Sequence, residues 1–141
     1  MVVLDANVLL YAIDDASLHH EQALSWLDAS LAGTEAVAFA WVALLAFIRI
    51  ATGAVVFPRP LSIDEATEQV DAWLAAPAAV VVQPTPRHAT LLRGLLRDTG
   101  TAGNLTTDAH LAALALENGA DVVSYDRDFA RFPGIRHRLP G

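Results

Sequence analysis

Short valine-rich runs, each followed by a stretch of helical periodicity, constrain this chain more than any other feature. Residues 2–4 and 80–82 are apolar and largely β-branched, 36–40 is apolar around Val37, 121–124 carries Val122 and Val123 between polar ends, and Ile135 to Leu139 offers a fifth, weaker run. Between them, apolar residues recur at helical spacing over 8–13, 18–31, 41–52, 85–98 and 105–118. Ser62 followed three residues later by Glu65 has the spacing of a capping box, which predicts a helix from there to about Ala76. Pro58, Pro60 and Pro77 punctuate the chain, and two glycines lie in a loop at 99–104. This alternation predicts an α/β fold with a small, mostly parallel sheet covered by helices on both faces.

The length of 141 residues, 54 % of them hydrophobic, suits one domain over 1–141 with a sizeable core and leaves no room for a second. No apolar run reaches about 18 residues and no basic stretch precedes the apolar start, so neither a membrane span nor a signal peptide is expected. A cytoplasmic protein is the expectation. Cysteine is absent, which removes disulfides and thiolate metal sites and leaves carboxylate, amide and imidazole as ligands. A net charge of −7 argues against a protein that coats nucleic acid through its overall field. All nine basic residues are arginine, and Arg127, Arg131 and Arg136 follow closely on an acidic turn, where bidentate phosphate contacts are one use for them.

The chemistry concentrates where strands end. Asp5 ends the first run, Asp126 and Asp128 follow the fourth, and Asp108 opens the helix before it. In a parallel sheet all four reach one edge, the edge where ligands collect in open α/β folds. Carboxylates gathered there repel one another unless a cation neutralises them, and Mg²⁺ or Mn²⁺ suits an open, oxygen-lined, hydrated site of that kind. Each residue also has a local reading: Asp5 as a helix cap, Asp108 as a first-turn dipole partner, Asp126 and Asp128 as turn formers. Their coincidence at strand ends and helix starts favours a site.

The segments MVVLDANVLLYA, WVALLAFIRIAT and TTDAHLAALALENGADVVSYDRDFARFPGI together resemble PIN-domain ribonucleases of the VapC toxin type, in particular a mycobacterial-like branch. The resemblance covers essentially the whole chain. It implies a three-layer α/β/α sandwich and an endoribonuclease using Mg²⁺ or Mn²⁺. It also implies the toxin role in a toxin–antitoxin pair, with a small cognate antitoxin as partner and a structured RNA such as tRNA as substrate. It places Asp5, Asp108 and Asp126 at the metal positions, with Asp128 as an accessory catalytic carboxylate. One position departs from the pattern: many PIN nucleases carry Glu in the third helix, where this chain has Ala46. One anionic ligand fewer weakens the hold on a second metal. The rival reading is therefore a PIN-like module that binds RNA or an antitoxin without efficient cleavage.

Two other acid-clustering folds fit less well. A phosphoacceptor signalling domain needs a lysine that this chain lacks, and a haloacid-dehalogenase-type phosphatase needs Asp-x-Asp after the first strand, where Asp5-Ala6-Asn7 stands. Asn7 and Asn104 are read as turn and cap residues in preference to neutral ligands. His19, His20, His88, His110 and His137 show no metal spacing and are read as surface or packing residues, His110 on a helix surface. Trp26, Trp41 and Trp73 are read as core. The helix at 41–52 is apolar nearly all round, with Trp41, Leu44, Leu45 and Ile48 on one face and Val42, Phe47 and Ile50 elsewhere, which predicts a homodimer burying the excess.

Overall fold

Val2, Val3 and Leu4 form strand β1 (Val2–Leu4), wholly buried, with neighbours on both sides. The computed structural model describes residues 1–100 and 102–141, with the side chain of Asn104 excepted. The expected loop at 99–104 includes Thr101, and the readings of Asn104 concern its side chain; both fall outside the described residues. From β1 the chain runs through α1 (Ala6–Ile13) and α2 (His20–Leu31) to β2 (Val37–Phe39), then through α3 (Trp41–Ala51) and α4 (Ile63–Leu74) to β3 (Ala79–Val81). It returns through α5 (His88–Thr99), a 3-10 turn (Gly103–Leu105) and α6 (Thr106–Glu117) to β4 (Asp121–Val123), and ends in a second 3-10 turn (Arg127–Arg131) and β5 (His137–Arg138).

The strand order is β3-β2-β1-β4-β5, and every neighbouring pair is parallel. Three-residue strands with period-2 side chains divide the core cleanly. Val2, Leu4, Val37, Phe39 and Val123 face one layer with residues of α1 to α4, whereas Val3, Ala38 and Val122 face the other with α5 and α6. The expected α/β/α sandwich is what forms. The fifth run contracts to the two-residue edge strand β5, and Ser62 caps α4 with both hydrogen bonds of a capping box.

After β1 the chain builds outward on one side through β2 and β3, then crosses to the other side of β1 to lay down β4. Strand order thus reverses between β1 and β4, and the segments that leave their carboxyl ends pack into opposite layers, α1 on one face and the turn bearing Phe129 on the other, the arrangement that leaves a crevice in open α/β folds. No helix among the described residues is long and apolar enough to cross a membrane.

The α3 helix is covered more fully than its composition suggests. Leu44 and Phe47 are wholly buried, and Phe47 meets Trp73 of α4 edge to face at 4.8 Å, with Phe39 stacked on the same indole at 6.3 Å. Phe47 and Leu44 are therefore core residues and not part of a surplus surface, because α4 folds over them. Trp41 reverses the other way: it is 43 % exposed, as Leu45 is at 58 %, while Trp73 is buried and Trp26 half-buried.

Candidate acidic active site

Asp5 leaves β1 in extended conformation and caps α1, its Oδ1 accepting the Ala6 N–H at 2.7 Å. The cap reading and the site reading hold together, since each carboxylate oxygen has its own task. Oδ2 accepts the Ser124 hydroxyl at 2.7 Å and the Asn7 amide at 3.1 Å, while the Asp5 N–H ties back to the Val123 carbonyl of β4 at 3.1 Å. Asn7 also donates to Ser124 Oγ at 3.0 Å and accepts the Tyr125 N–H at 3.1 Å. Ser124, wholly buried, accepts the Asp126 N–H at 2.9 Å, which uses its one donor and both acceptor positions. Asp126 Oδ1 in turn accepts the Asp128 N–H at 2.8 Å. One serine and one asparagine thus lock the ends of β1 and β4 together and fix both aspartates.

Asp108 lies in the first turn of α6, half-buried, and its pKa is pushed up from 3.8 to about 6 by burial first and then by the charges of Asp5, Asp126 and Asp128. Asp5 is also raised, chiefly by burial with Asp126 adding, against the hydrogen bonds from Ser124 and the Ala6 N–H. Asp108 is therefore within electrostatic reach of the other three expected carboxylates, and Asp5 within reach of Asp126. Among the described residues no group of three or more acidic or histidine side chains is already gathered closely enough to ligate an ion directly.

Removal of one of these charges has a predictable sign. Asp108 titrates higher in the folded chain than in the unfolded one, so above about pH 6 the ion-free native state carries a repulsion that it sheds as pH falls. Asp108→Asn is expected to raise the stability of ion-free protein by about 1–2 kcal/mol at about pH 8, after allowance for solvent screening of a half-exposed group, with the gap narrowing as pH falls through about 6 and closing only below about pH 4. Denaturant melts of both proteins across that range test this, and equal midpoints at about pH 8 would contradict it.

The remaining sequence expectations divide. Ala46 is half-buried and shares a hollow of about 530 Å³ with Val42, Leu45, Ile48, Arg49 and Thr107, the residue before Asp108. Arg127 and Arg131 are exposed near the acids, but Arg136 is a structural residue: it pairs with Asp121 at the opposite end of β4 and donates to the Gly119 carbonyl at 3.2 Å. His110 is not a plain surface residue either. Its Nδ1 meets His88 Nε2 at 2.8 Å, and His88 Nδ1 meets Glu117 Oε2 at 2.8 Å, a polar clasp between α5 and α6 whose burial pulls the His110 pKa down. Ser124 was invisible as a site residue, because a serine at a strand end carries no motif.

The architecture and the crevice define a PIN-type α/β/α fold, and residues 2–135 match the PIN domain family. The chain is 56 % identical over 140 residues to ribonuclease VapC37 of Mycobacterium tuberculosis, covering 99 % of this chain and 97 % of that one. It is 41 % identical to VapC ribonuclease Mb2897 of Mycobacterium bovis, over 99 % and 95 % of the two chains. Among solved structures, it resembles VapBC2 from Rickettsia felis bound to a promoter DNA fragment, with a TM-score of 0.72, 17 % identity and coverage of 99 % and 98 %. It also resembles Mycobacterium tuberculosis VapC20, described as a sarcin–ricin-loop-cleaving toxin, with a TM-score of 0.69, 14 % identity and coverage of 96 % and 99 %. The chain belongs to the PIN-domain family, within its VapC ribonuclease group.

Proposed function

We propose that this chain, as one PIN-like domain over 1–141, is a divalent-ion-dependent endoribonuclease and the toxin of a toxin–antitoxin pair. The observation that carries the reading is the hydrogen-bonded junction of β1 and β4, where Ser124 and Asn7 tie Asp5 to the start of the Asp126 turn, with Asp108 of α6 near enough to feel the charges of Asp5, Asp126 and Asp128 as well as its own burial. The donor set is all oxygen, which fits Mg²⁺ or Mn²⁺, and Asp5, Asp108 and Asp126 would hold it. When bound, such an ion supplies a water of lowered pKa and neutralises charge on the phosphate and the leaving oxygen.

The chain's own residues do the positioning. Ser124 and Asn7 fix Asp5 Oδ2, so that this carboxylate cannot swing when a phosphodiester approaches. The Asp128 N–H fixes Asp126 Oδ1, and the Asp128 carboxylate adds negative charge as the accessory acid. Arg127 and Arg131 are exposed one and five residues after Asp126, and would meet phosphates there. The substrate is a structured RNA such as tRNA, met in the cytoplasm, and kinship with proteins named as VapC ribonucleases supports RNA as the class. The kinship with VapBC assemblies supports a small antitoxin whose inserted segment covers the acidic groove.

Ala46 favours a second reading, a PIN-like module that binds RNA or antitoxin and cuts poorly, since the centre has one acid fewer than many relatives. The fragment pattern of a folded RNA, with ion-stripped protein before and after Mg²⁺ is added, separates the two.

A second copy of the chain is a further proposed partner. Trp41 and Leu45 are exposed on α3, and an apolar hollow of about 660 Å³ runs along α5 past Leu92, Leu96, Arg93 and Arg97. Light scattering is expected to give twice the 15.0 kDa chain mass, and Leu45→Glu to return it to one. A monomer at micromolar concentration would contradict the dimer.

A further inference from the structure

Three aromatic rings from separate segments meet at the rim of the acidic centre: Tyr11 on α1, His19 in the α1–α2 connection, and Tyr125 directly before Asp126. His19 stacks on Tyr125 with centroids 4.4 Å apart and planes 29° from parallel, and Tyr11 meets Tyr125 edge-on and His19 tilted, both at 5.2 Å. Tyr11 and Tyr125 are half-buried against the core, whereas His19 is exposed.

The exposed ring is held in place by its surroundings. Asp14 Oδ1 accepts the Ala16 N–H and Ser17 Oγ accepts the His19 N–H, both at 3.1 Å, which sets the turn, and His20 Nδ1 meets the Tyr11 carbonyl at 2.9 Å. Tyr125 is fixed at both ends, its hydroxyl donating to Gln22 Oε1 at 3.1 Å and its N–H to Asn7 Oδ1. Asn7 also holds Asp5, and Tyr11 lies one helical turn beyond it on the same face of α1. The rings are therefore mechanically continuous with the acids.

Packing alone explains Tyr11 and Tyr125 but leaves the outer face of His19 in solvent. An acidic centre in a chain of net charge −7 needs RNA affinity beyond the phosphate contacts that Arg127 and Arg131 can offer, and base stacking on aromatic rings is such a source. We propose that Tyr11, His19 and Tyr125 form a stacking ledge that seats one unpaired base of the RNA beside the Asp5/Asp108/Asp126 centre. This rests on the reading of that centre as one that acts on RNA. His19 provides the contact face and the two tyrosines back it, so the ledge positions substrate and takes no part in bond breaking. Stacking of this kind accepts any base and favours a splayed loop over a duplex.

Fluorescence anisotropy of a labelled, unstructured oligoribonucleotide tests the ledge, with Asp108→Asn protein as the non-cutting parent. In that parent His19→Ala is expected to weaken binding about tenfold, within the range of a single base–aromatic stack, while His19→Phe holds affinity to within about twofold. An oligomer of the same length made abasic throughout should bind the parent and the His19→Ala protein equally, since the ledge then has no base to stack on. RNA binding by the parent that His19→Ala leaves unchanged overturns the ledge alone. Failure of the parent and of wild-type protein to bind RNA overturns the proposed function and the ledge together.

Discussion

Replacing Phe47 by alanine is expected to destabilise the fold by about 3–5 kcal/mol, a large share of the roughly 5–15 kcal/mol that holds a domain of this kind together. The ring is wholly buried and meets Trp73 edge to face, with Phe39 stacked on the same indole. Truncation removes the buried area and leaves a cavity that α4 can close only by moving its one buried tryptophan. Urea melts of Phe47→Ala beside Leu45→Ala check this: the first should lose most of its transition midpoint, and the second, on the exposed side of the same helix, should stay within about 0.5 kcal/mol of wild type. A loss below about 1 kcal/mol for Phe47→Ala would contradict the assignment.

That contrast shows where the sequence is readable and where it is not. Valine-rich runs and helical periods reveal the layers, because period 2 and period 3.6 are local properties of the chain, and the Ser62–Glu65 box marks the start of α4 for the same reason. Which side of α3 is covered is not local. Trp41, Leu44, Leu45 and Phe47 are all apolar, and only the angle at which α4 crosses decides that Phe47 is inside and Trp41 outside. Arg136 follows the same logic, since β5 turns it towards Asp121 at the amino end of β4 and away from the acids.

The acids themselves were legible because each stands at a strand end or a helix start, places the topology brings together. Their supports were not. Ser124 looks like an ordinary strand-end residue, yet it joins Asp5, Asn7 and the Asp126 N–H across more than a hundred residues of sequence. Tyr11, His19 and Tyr125 are single aromatics in three segments with no shared motif, and only folding stacks them. His88, His110 and Glu117 are likewise scattered, and become a clasp only when α5 lies along α6.

Substituting Asp5 or Asp126 by asparagine is expected to reduce RNA cleavage by about 10³-fold while leaving the fold intact. Both changes are isosteric, and both relieve the repulsion that raises Asp108, so stability should hold or rise while the charge that retains a cation and stabilises the transition state is lost. Asp5→Asn keeps the cap on the Ala6 N–H through its carbonyl oxygen, but its amide then faces two donors, the Ser124 hydroxyl and the Asn7 amide, which offsets the relief of repulsion and makes Asp126→Asn the cleaner of the two. The direct measurement takes ion-stripped wild-type, Asp5→Asn and Asp126→Asn proteins, incubates each with folded RNA while Mg²⁺ or Mn²⁺ is titrated in, and counts newly formed RNA ends. New ends that arise in wild type only once the ion is present, and in neither variant, are the predicted result; RNA that wild-type protein binds yet leaves whole at every ion concentration would contradict the account.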